Sequence, residues 1–180
     1  MILIETERLV LRNFRKDDAA DLLAYLHRPT VRCFLSLALP DLGAAEAEAE
    51  RRGRNDEAIA VCPKGGGPLI GELFAIPEPP DTYSVGWNFN ARYGGAGYAS
   101  EAARALFDHL FSAGEARRLF AYVEDDNLAS QRLCERLGMR REGLFREFIS
   151  FTTNEIGEPI YENTMQYALL RKEWRSSPRA

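Results

Sequence analysis

The feature of the sequence that most constrains its fold is a glycine-rich turn that joins an alternating segment to an amphipathic one. Residues 83–89 alternate bulky with small or polar side chains, which predicts a half-buried strand. Three glycines fall within residues 93–97, and apolar residues then recur at helical spacing over residues 100–112. A strand that turns through glycines into a helix predicts a chain of the mixed α/β class.

The rest of the chain predicts one sheet flanked by helices, with no internal repeat and no second domain. Alternating or short apolar segments predict further strands at residues 8–12, 58–61, 69–76, 119–123, 145–151 and 162–170. Further helices are predicted between Asp18 and Pro29 and over residues 44–54 and 128–137. We therefore expect a single domain over residues 1–180, in which the polar tail 171–180 frays.

Composition and charge argue against several classes of function. Lys and Arg total 23 against 27 Asp and Glu, a formal net charge of -4, which disfavours binding to nucleic acid or to an anionic membrane. The chain has neither a secretion signal nor an apolar stretch of the roughly 18–20 residues that span a membrane, so the expected location is the cytoplasm. Cys33, Cys62 and Cys134 are scattered and only two histidines accompany them, which makes a metal site unexpected.

The glycine-rich turn has the properties of an anion site. Glycines let the backbone approach a ligand, and the first N–H groups of a helix lack internal partners and lie at the positive end of its dipole. A phosphate-binding Walker loop is excluded because no lysine follows the glycines, and the dinucleotide fingerprint fails because Ser100 stands where its third glycine belongs. The pattern that fits is Arg92-x-x-Gly95-x-Gly97. A purely structural role for the glycines stays open from the turn alone.

This pattern and several others, in the same order along the chain, resemble the RimJ/RimL-type branch of the GNAT N-acetyltransferase superfamily. The similar segments are residues 6–12, 94–102, 127–130, 137–139, 143–147 and 167–174. One departure is Met139, which stands where the branch usually has an aromatic residue. The resemblance covers most of the chain and implies an acetyltransferase that uses acetyl-CoA as co-substrate, with no metal.

The resemblance also implies a fold and a binding site. The fold is a single central, mostly antiparallel sheet that splays open beside the strand entering the glycine turn, and the pantetheine arm of CoA lies in the gap. Backbone groups of Trp87, Asn88, Phe89 and Asn90 are then expected to pair with the arm, which Asn127 binds from the other side. The turn that would bind the pyrophosphate comprises Gly94, Gly95, Ala96, Gly97, Tyr98 and Ala99, with Arg92 and Ser100 nearby.

The reaction implied is direct attack of a neutral amine on the thioester, which needs an acid for the departing thiolate. Many members of the superfamily carry a tyrosine seven residues after the asparagine, but here that residue is Cys134. A thiol is a poor proton donor to a thiolate of similar pKa. We expect Ser130, four residues earlier on the same helix face, to be the donor. The alternative, a helix-face hydroxyl without a catalytic role, stays open, and Cys134 is expected to be a packing residue.

Two carboxylates are candidates for the base that deprotonates the amine. Glu72 follows Gly71 in a strand expected to line the substrate side, and Glu124 ends another strand next to the opening. By strand alternation Tyr122 shares a face with Glu124. Either carboxylate could instead be a solvated charge at a strand end. Glu101 is expected to favour the dipole of the helix that follows the turn rather than to act as base.

The expected function is therefore an N-acetyltransferase whose acceptor is a primary amine, either a protein or peptide N-terminal α-amine or a small molecule such as a polyamine, amino acid or antibiotic. Acidic residues within 41–57 are expected to flank the acceptor cleft and to favour a cationic acceptor. Two other classes stay open, namely a CoA-binding sensor without turnover and a nucleotide-binding protein that shares the glycine turn. A homodimer is also left open.

Overall fold

One mixed sheet organises the computed structural model, which describes residues 3–29, 31, 33, 37–113 and 116–176. Within this described part, the strands are β1 (Leu3–Glu5), β2 (Leu9–Asn13), β3 (Ala58–Pro63), β4 (Gly71–Glu78), β5 (Thr82–Phe89), β6 (Arg118–Glu124), β7 (Arg140–Thr153) and β8 (Pro159–Leu170). Their order in the sheet is β1-β2-β3-β4-β5-β6-β8-β7. The predicted strands are all present, while β1 was not anticipated as a separate strand.

Side-chain caps fix the first turns of two of the helices. Their bounds are α1 (Ala19–Leu26), α2 (Leu42–Arg52), α3 (Tyr98–Ser112), α4 (Leu128–Arg136) and α5 (Arg171–Ser176). Asp41 caps α2, since its carboxylate accepts the Ala44 N–H at 2.9 Å, and Asn127 caps α4. Among the residues that the structure describes, no helix has the length and apolar character of a membrane span.

Two apolar layers cover the two faces of the sheet. On one face, α3 packs its predicted core side chains, among them Leu106 and Phe107, against strand residues such as Leu11 and Leu73. On the other face, α1 and α2 cover Ala60 and its neighbours. Because successive strand residues point to opposite faces, the residues of β4 divide between these layers, and this division decides which side chains reach the site described below.

The sheet is antiparallel except where β5 meets β6. These two strands are parallel and pair over only three residues each, from Thr82 to Ser84 on β5 and from Arg118 to Phe120 on β6. Both strands continue beyond the pairing, to Phe89 and Glu124 respectively. This arrangement confirms the expected mostly antiparallel sheet that splays beside the strand leading into the glycine turn.

The expectation that residues 171–180 fray is wrong for residues 171–176, while residues 177–180 lie outside the described part of the chain. Residues 171–176 form α5, whose Trp174 ring packs edge-on against Phe107 with ring centroids 5.8 Å apart. The Trp174 indole N–H donates to an Asp108 carboxylate oxygen at 2.7 Å. The polar composition of residues 171–180 predicted fraying, but the Trp174 ring holds α5 against the core.

We predict that Trp174→Ala lowers the free energy of unfolding by about 2–3 kcal/mol, somewhat less than a fully buried tryptophan because this ring is half-buried. Urea denaturation measures the loss. Ile156→Ala, at a residue that is 79% exposed, serves as control and leaves stability nearly unchanged. An unchanged midpoint for Trp174→Ala would mean that α5 does not hold to the core.

Candidate functional site

The gap between the diverging ends of β5 and β6 is the candidate site. A cavity of about 320 Å³ occupies it. Its walls come from β5, β6 and α4, with one residue each from β4 and α3 and two from the connection after α1. The lining residues are Val31, Cys33, Phe74, Val85, Gly86, Trp87, Asn88, Phe89, Ala99, Ala121, Tyr122, Val123, Glu124, Asn127, Ala129, Ser130, Leu133 and Arg136.

The open edge of β5 supplies hydrogen-bonding groups to this cavity. The Asn90 N–H donates to the Ile70 carbonyl beside β4 at 3.0 Å. Because N–H groups alternate sides along a strand, those of Trp87 and Phe89 point away from β4 and into the gap. They lie beyond the last residue of β5 that pairs with β6. A bound extended chain can therefore pair with this edge as a strand would.

The glycine turn uses the conformational freedom of two of its glycines. Gly95 and Gly97 have φ of 79° and 81°, the left-handed region that other residues enter at a cost. Gly97 is the N-cap of α3. In the described part of the chain, none of the hydrogen bonds employs the N–H groups from Gly95 through Ala99. The turn thus presents a run of free donors at the positive end of a helix, as an anion site requires.

An ion pair from the start of the chain holds the turn in place. Glu101, in the first turn of α3, accepts hydrogen bonds from the Thr6 hydroxyl at 2.5 Å and from the Arg8 guanidinium at 2.6 Å. Arg8 also donates to the Ala96 carbonyl at 3.0 Å and stacks over the Tyr98 ring at 4.6 Å. Burial alone would raise the pKa of Glu101, but the hydrogen bonds from Thr6 and Arg8 lower it. Glu101 is therefore an anchor for the turn.

Helix α4 presents two polar side chains to the opposite wall of the cavity. The Asn127 side-chain oxygen accepts the Ser130 N–H at 3.1 Å, which leaves its NH₂ group free to donate to a ligand. The Ser130 hydroxyl accepts the Trp87 indole N–H at 3.1 Å. Within the described residues, no hydrogen bond uses the Ser130 hydroxyl as donor. The indole therefore orients the hydroxyl while its proton remains available.

Cys134 is a packing residue, as expected. Its side chain is fully buried in the core beneath α4, and burial raises the pKa of its thiol to about 12. The thiol does not line the cavity. Cys134, which stands where many similar sequences have a tyrosine, therefore offers no acid to the site. Ser130, one helical turn earlier in α4, provides a hydroxyl in the cavity wall.

Glu124 lies at the far end of β6 and faces the cavity with Tyr122, as strand alternation predicted. Its side chain is only 7% exposed. Burial, and after it the neighbouring charge of Glu124, raise the pKa of the Cys33 thiol to about 12. Cys33 is therefore a neutral thiol at neutral pH. The cavity wall holds this thiol and one carboxylate, which lies at the end of a strand that borders the gap.

Glu72 does not line the cavity, which corrects the expectation that it faces the substrate side. It is fully buried beneath α2 and forms an ion pair with Arg52, itself 2% exposed. The Arg52 guanidinium also bonds Glu48 at 2.7 Å and lies 5.4 Å from the ring centroid of Phe14 and 5.9 Å from that of Phe74. Alternation placed Glu72 on a face of β4 that α2 covers, so the carboxylate is committed to a structural pair.

The acidic residues within 41–57 also lie away from the cavity, contrary to expectation. None of them belongs to its lining. Glu46 and Glu50 pair with Lys16, while Glu48 pairs with the arginines at the end of α2. Their charges therefore serve the packing of α2 and give no reason to expect a cationic acceptor.

The predicted site residues divide into three groups by location. Those in the cavity wall are Trp87, Asn88, Phe89, Ala99, Glu124, Asn127 and Ser130. Those of the turn beside Ala99 are Gly94, Gly95, Ala96, Gly97, Tyr98 and Ser100. Asn90 lies outside the wall, because its side chain caps the turn at Ala91–Tyr93 by accepting the Arg92 N–H at 3.1 Å. Arg92 is exposed within that turn.

The lining residues that were not anticipated include Arg136, Val31 and Cys33. Arg136 ends α4, and its guanidinium lies 3.4 Å from the Ser100 hydroxyl, so it adds positive charge beside the glycine turn. Its spacing of three residues from Leu133 and seven from Ala129 places all three on one helix face, a signal that could have identified it. Val31 and Cys33 come from the irregular connection after α1, where no sequence pattern predicts contact with the site.

Comparisons with known proteins show the family of the chain. Residues 8–140 match the family model described as an acetyltransferase (GNAT) domain. The chain is 32% identical over 173 residues to the uncharacterized N-acetyltransferase YnaD of Bacillus subtilis (strain 168), covering 95% of this chain and 98% of that protein.

Solved structures are similar as well. An acetyltransferase of the GNAT family from Bacillus anthracis superposes with a TM-score of 0.86 at 27% identity, covering 96% of this chain and all of that one (100%). A Vibrio cholerae protein, proposed to be a ribosomal-protein-serine acetyltransferase, has a TM-score of 0.76 at 26% identity, with coverages of 94% and 97%.

We predict that Glu72→Gln destabilises the fold by about 3 kcal/mol, because it leaves the buried Arg52 guanidinium with Glu48 as its remaining carboxylate. Denaturation in urea measures the change. Glu46→Gln, at a half-exposed carboxylate of α2, is the control and shifts stability by less than about 0.5 kcal/mol. A Glu72→Gln variant as stable as the native protein would show that the pair contributes nothing.

Proposed function

The chain belongs to the GNAT acetyltransferase family, and on this premise we propose that it transfers the acetyl group of acetyl-CoA to a primary amine within the gap between β5 and β6. The observation that carries the proposal is the three-residue pairing of these strands. Beyond it, the open edge of β5 faces a cavity that also receives the Ser130 hydroxyl and the Glu124 carboxylate.

The residues of the gap fit acetyl-CoA as co-substrate. The N–H groups of Trp87 and Phe89 suit carbonyl groups along the acylated pantetheine arm, the thioester carbonyl among them, and the Asn127 NH₂ group suits the arm from the side of α4. The free N–H groups from Gly95 through Ala99 suit the pyrophosphate, with the positive end of α3 behind them. Arg136 and Arg92 add cationic charge on either side of the turn.

Ser130 acts as the acid for the leaving thiolate. When the amine nitrogen bonds to the thioester carbon and the carbon–sulfur bond breaks, the Ser130 hydroxyl donates to the departing sulfur, and water returns to the hydroxyl the proton that leaves with the thiol. The Ser130 hydroxyl already accepts from the Trp87 indole at 3.1 Å, which directs its own proton elsewhere. The β5 N–H groups stabilise the negative charge that develops on the thioester oxygen.

Glu124 acts as the base that removes a proton from the incoming amine. An α-amine has a pKa of about 8 and an alkylamine of about 10, so most of either is protonated at neutral pH and cannot attack. Glu124 is the one acidic residue among the cavity lining in the described part of the chain. It accepts the proton directly or through a water molecule. Glu72 has no path to the cavity and is not assigned this role.

We further place the chain in the RimJ/RimL-type branch, with a protein or peptide α-amine as acceptor. The segments at residues 6–12 and 127–130 that resemble this branch have structural roles at the site, since Arg8 holds the turn and Asn127 caps α4. The Vibrio cholerae neighbour, proposed to be a ribosomal-protein-serine acetyltransferase, supports a protein acceptor.

The test of the proposed function is release of free CoA thiol from acetyl-CoA in the presence of a panel of acceptors. The panel contains peptides with free N-termini, the same peptides with blocked N-termini, amino-acid amides and spermidine. We expect steady turnover with the free α-amines and none with blocked peptides. Tight CoA binding without turnover on any amine would instead identify a CoA sensor, and turnover on spermidine alone would move the acceptor to the polyamines.

We predict that Ser130→Ala lowers kcat by roughly 10²–10⁴-fold, the range for a positioned acid, with little change in CoA affinity. Steady-state kinetics and calorimetric titration of CoA measure the two quantities. Trp87→Phe keeps an aromatic ring and removes only the N–H that orients Ser130, so its kcat should fall less. A loss below about threefold in Ser130→Ala would leave Ser130 as a helix-face hydroxyl.

For Glu124→Gln we predict the largest loss of kcat/KM near pH 6, where few amines are spontaneously neutral, with partial recovery near pH 9. Gln keeps the shape of the side chain and removes its basicity. The pH–rate profile with alaninamide measures the effect, and thermal unfolding confirms that the variant is folded. An equal loss at every pH would indicate that Glu124 positions the substrate and does not take its proton.

A further inference from the structure

Three aromatic side chains form an exposed surface beside the cavity. The rings of Tyr122, Phe145 and Phe148, here called the aromatic shelf, contact one another with centroid separations of 5.0–6.1 Å. They are 45%, 38% and 48% exposed. Exposed rings that pack together in one patch typically mark a binding surface.

The backbone of β7 is distorted in the place that builds the shelf. Simple strand alternation would put Phe145 and Phe148 on opposite faces. The pairing with β8 shifts register between Phe145 and Ile149, and within this bulge Glu147 has a φ of 48°, the left-handed region. The Asn163 side chain holds the bulge by accepting the Glu147 N–H at 3.0 Å.

The bulge therefore re-aims the Phe148 side chain so that it lies against Phe145 and Tyr122. Bulges and residues held at positive φ are concentrated next to functional sites, because the local cost is retained only where the new direction of a side chain is needed. The Asn163 amide also donates to Asp125 at 2.9 Å, which ties the bulge to the residue that follows Glu124.

The shelf is continuous with the site of the reaction. Tyr122 belongs both to the shelf and to the cavity wall that contains Glu124. Phe145 and Glu124 each pair in register with Thr164, from β7 and β6 respectively. The Thr164 hydroxyl between them is 2% exposed and makes no hydrogen bond within the described residues. The Glu124 carboxylate, the Thr164 hydroxyl and the three rings of the aromatic shelf thus lie on one face of the sheet.

We propose that the aromatic shelf binds the side group of the acceptor, which is an α-amine with an aromatic or large apolar group on the carbon that carries the nitrogen. The amine lies at Glu124 and the apolar group covers the rings of Tyr122, Phe145 and Phe148. Because the shelf is apolar, it suits an acceptor that carries a single amine and a hydrophobic group better than it suits a polyamine. This inference rests on the proposed function and names the substrate class of the same site.

The experiment compares phenylalaninamide with alaninamide, two acceptors that share an α-amine and differ by one phenyl ring. We expect kcat/KM to be at least tenfold higher for phenylalaninamide, in keeping with the burial of a ring against the shelf. In Phe148→Ala this preference should fall to about threefold or less, because kcat/KM falls more for phenylalaninamide than for alaninamide. Tyr161→Ala, which removes an exposed ring of β8 outside the shelf, is the matched control and keeps the preference.

A second measurement separates this inference from the proposed function. Phenylalaninamide is titrated calorimetrically into the CoA-saturated native protein and into Phe148→Ala. One outcome is that no amine is acetylated, while phenylalaninamide binds and Phe148→Ala weakens its binding. The role of the shelf in binding then holds and the proposed function fails. If alaninamide and phenylalaninamide are acetylated equally well, or Phe148→Ala keeps the preference, the shelf is overturned. A dimer that Phe148→Ala dissociates, with the preference unchanged, would assign the rings to contact between copies of this chain.

Discussion

The short parallel pairing of β5 with β6 is the constraint on which the rest of the site depends. A strand in the middle of a sheet normally satisfies its N–H and C=O groups on both sides, but beyond Ser84 β5 keeps its partner only on the β4 side. Backbone groups enclosed without a partner are costly. The chain therefore holds, between two strands of its own sheet, an edge that another extended chain can complete.

The elements around the gap depend on this opening. The glycine turn follows directly from the end of β5, so the anion-binding start of α3 lies beside the gap, and α4 covers the end of β6 with the Asn127 cap and the Ser130 hydroxyl facing it. The pair between Arg8, which precedes β2, and Glu101 of α3 fixes the turn. The aromatic shelf extends the same opening toward β7, so the co-substrate and the acceptor approach one cavity from different elements.

The local parts of this arrangement could be predicted from the sequence, because alternation, capping residues and glycines act over a few neighbouring residues. They identified β5, the turn, α3 and the Asn127 cap. Glu72 and Glu124 show the limit. Glu72 lies within an apolar segment and Glu124 ends another. Alternation gives each a face, but only the packing of α2 decides that Glu72 is covered and bound to Arg52. The position of the Phe148 ring is a second such case, because the bulge in β7 that turns the ring cannot be inferred from residue types.

The central claim is that the open edge of β5 receives the pantetheine arm, and amide hydrogen exchange with and without CoA tests it most directly. We predict that CoA slows exchange at the N–H groups of Trp87 and Phe89 as well as at those from Gly95 through Ala99, whereas β1 is unaffected. ATP, which carries phosphates but no arm, should slow only the turn. Unchanged exchange at Trp87 and Phe89 in the presence of saturating CoA would contradict the account.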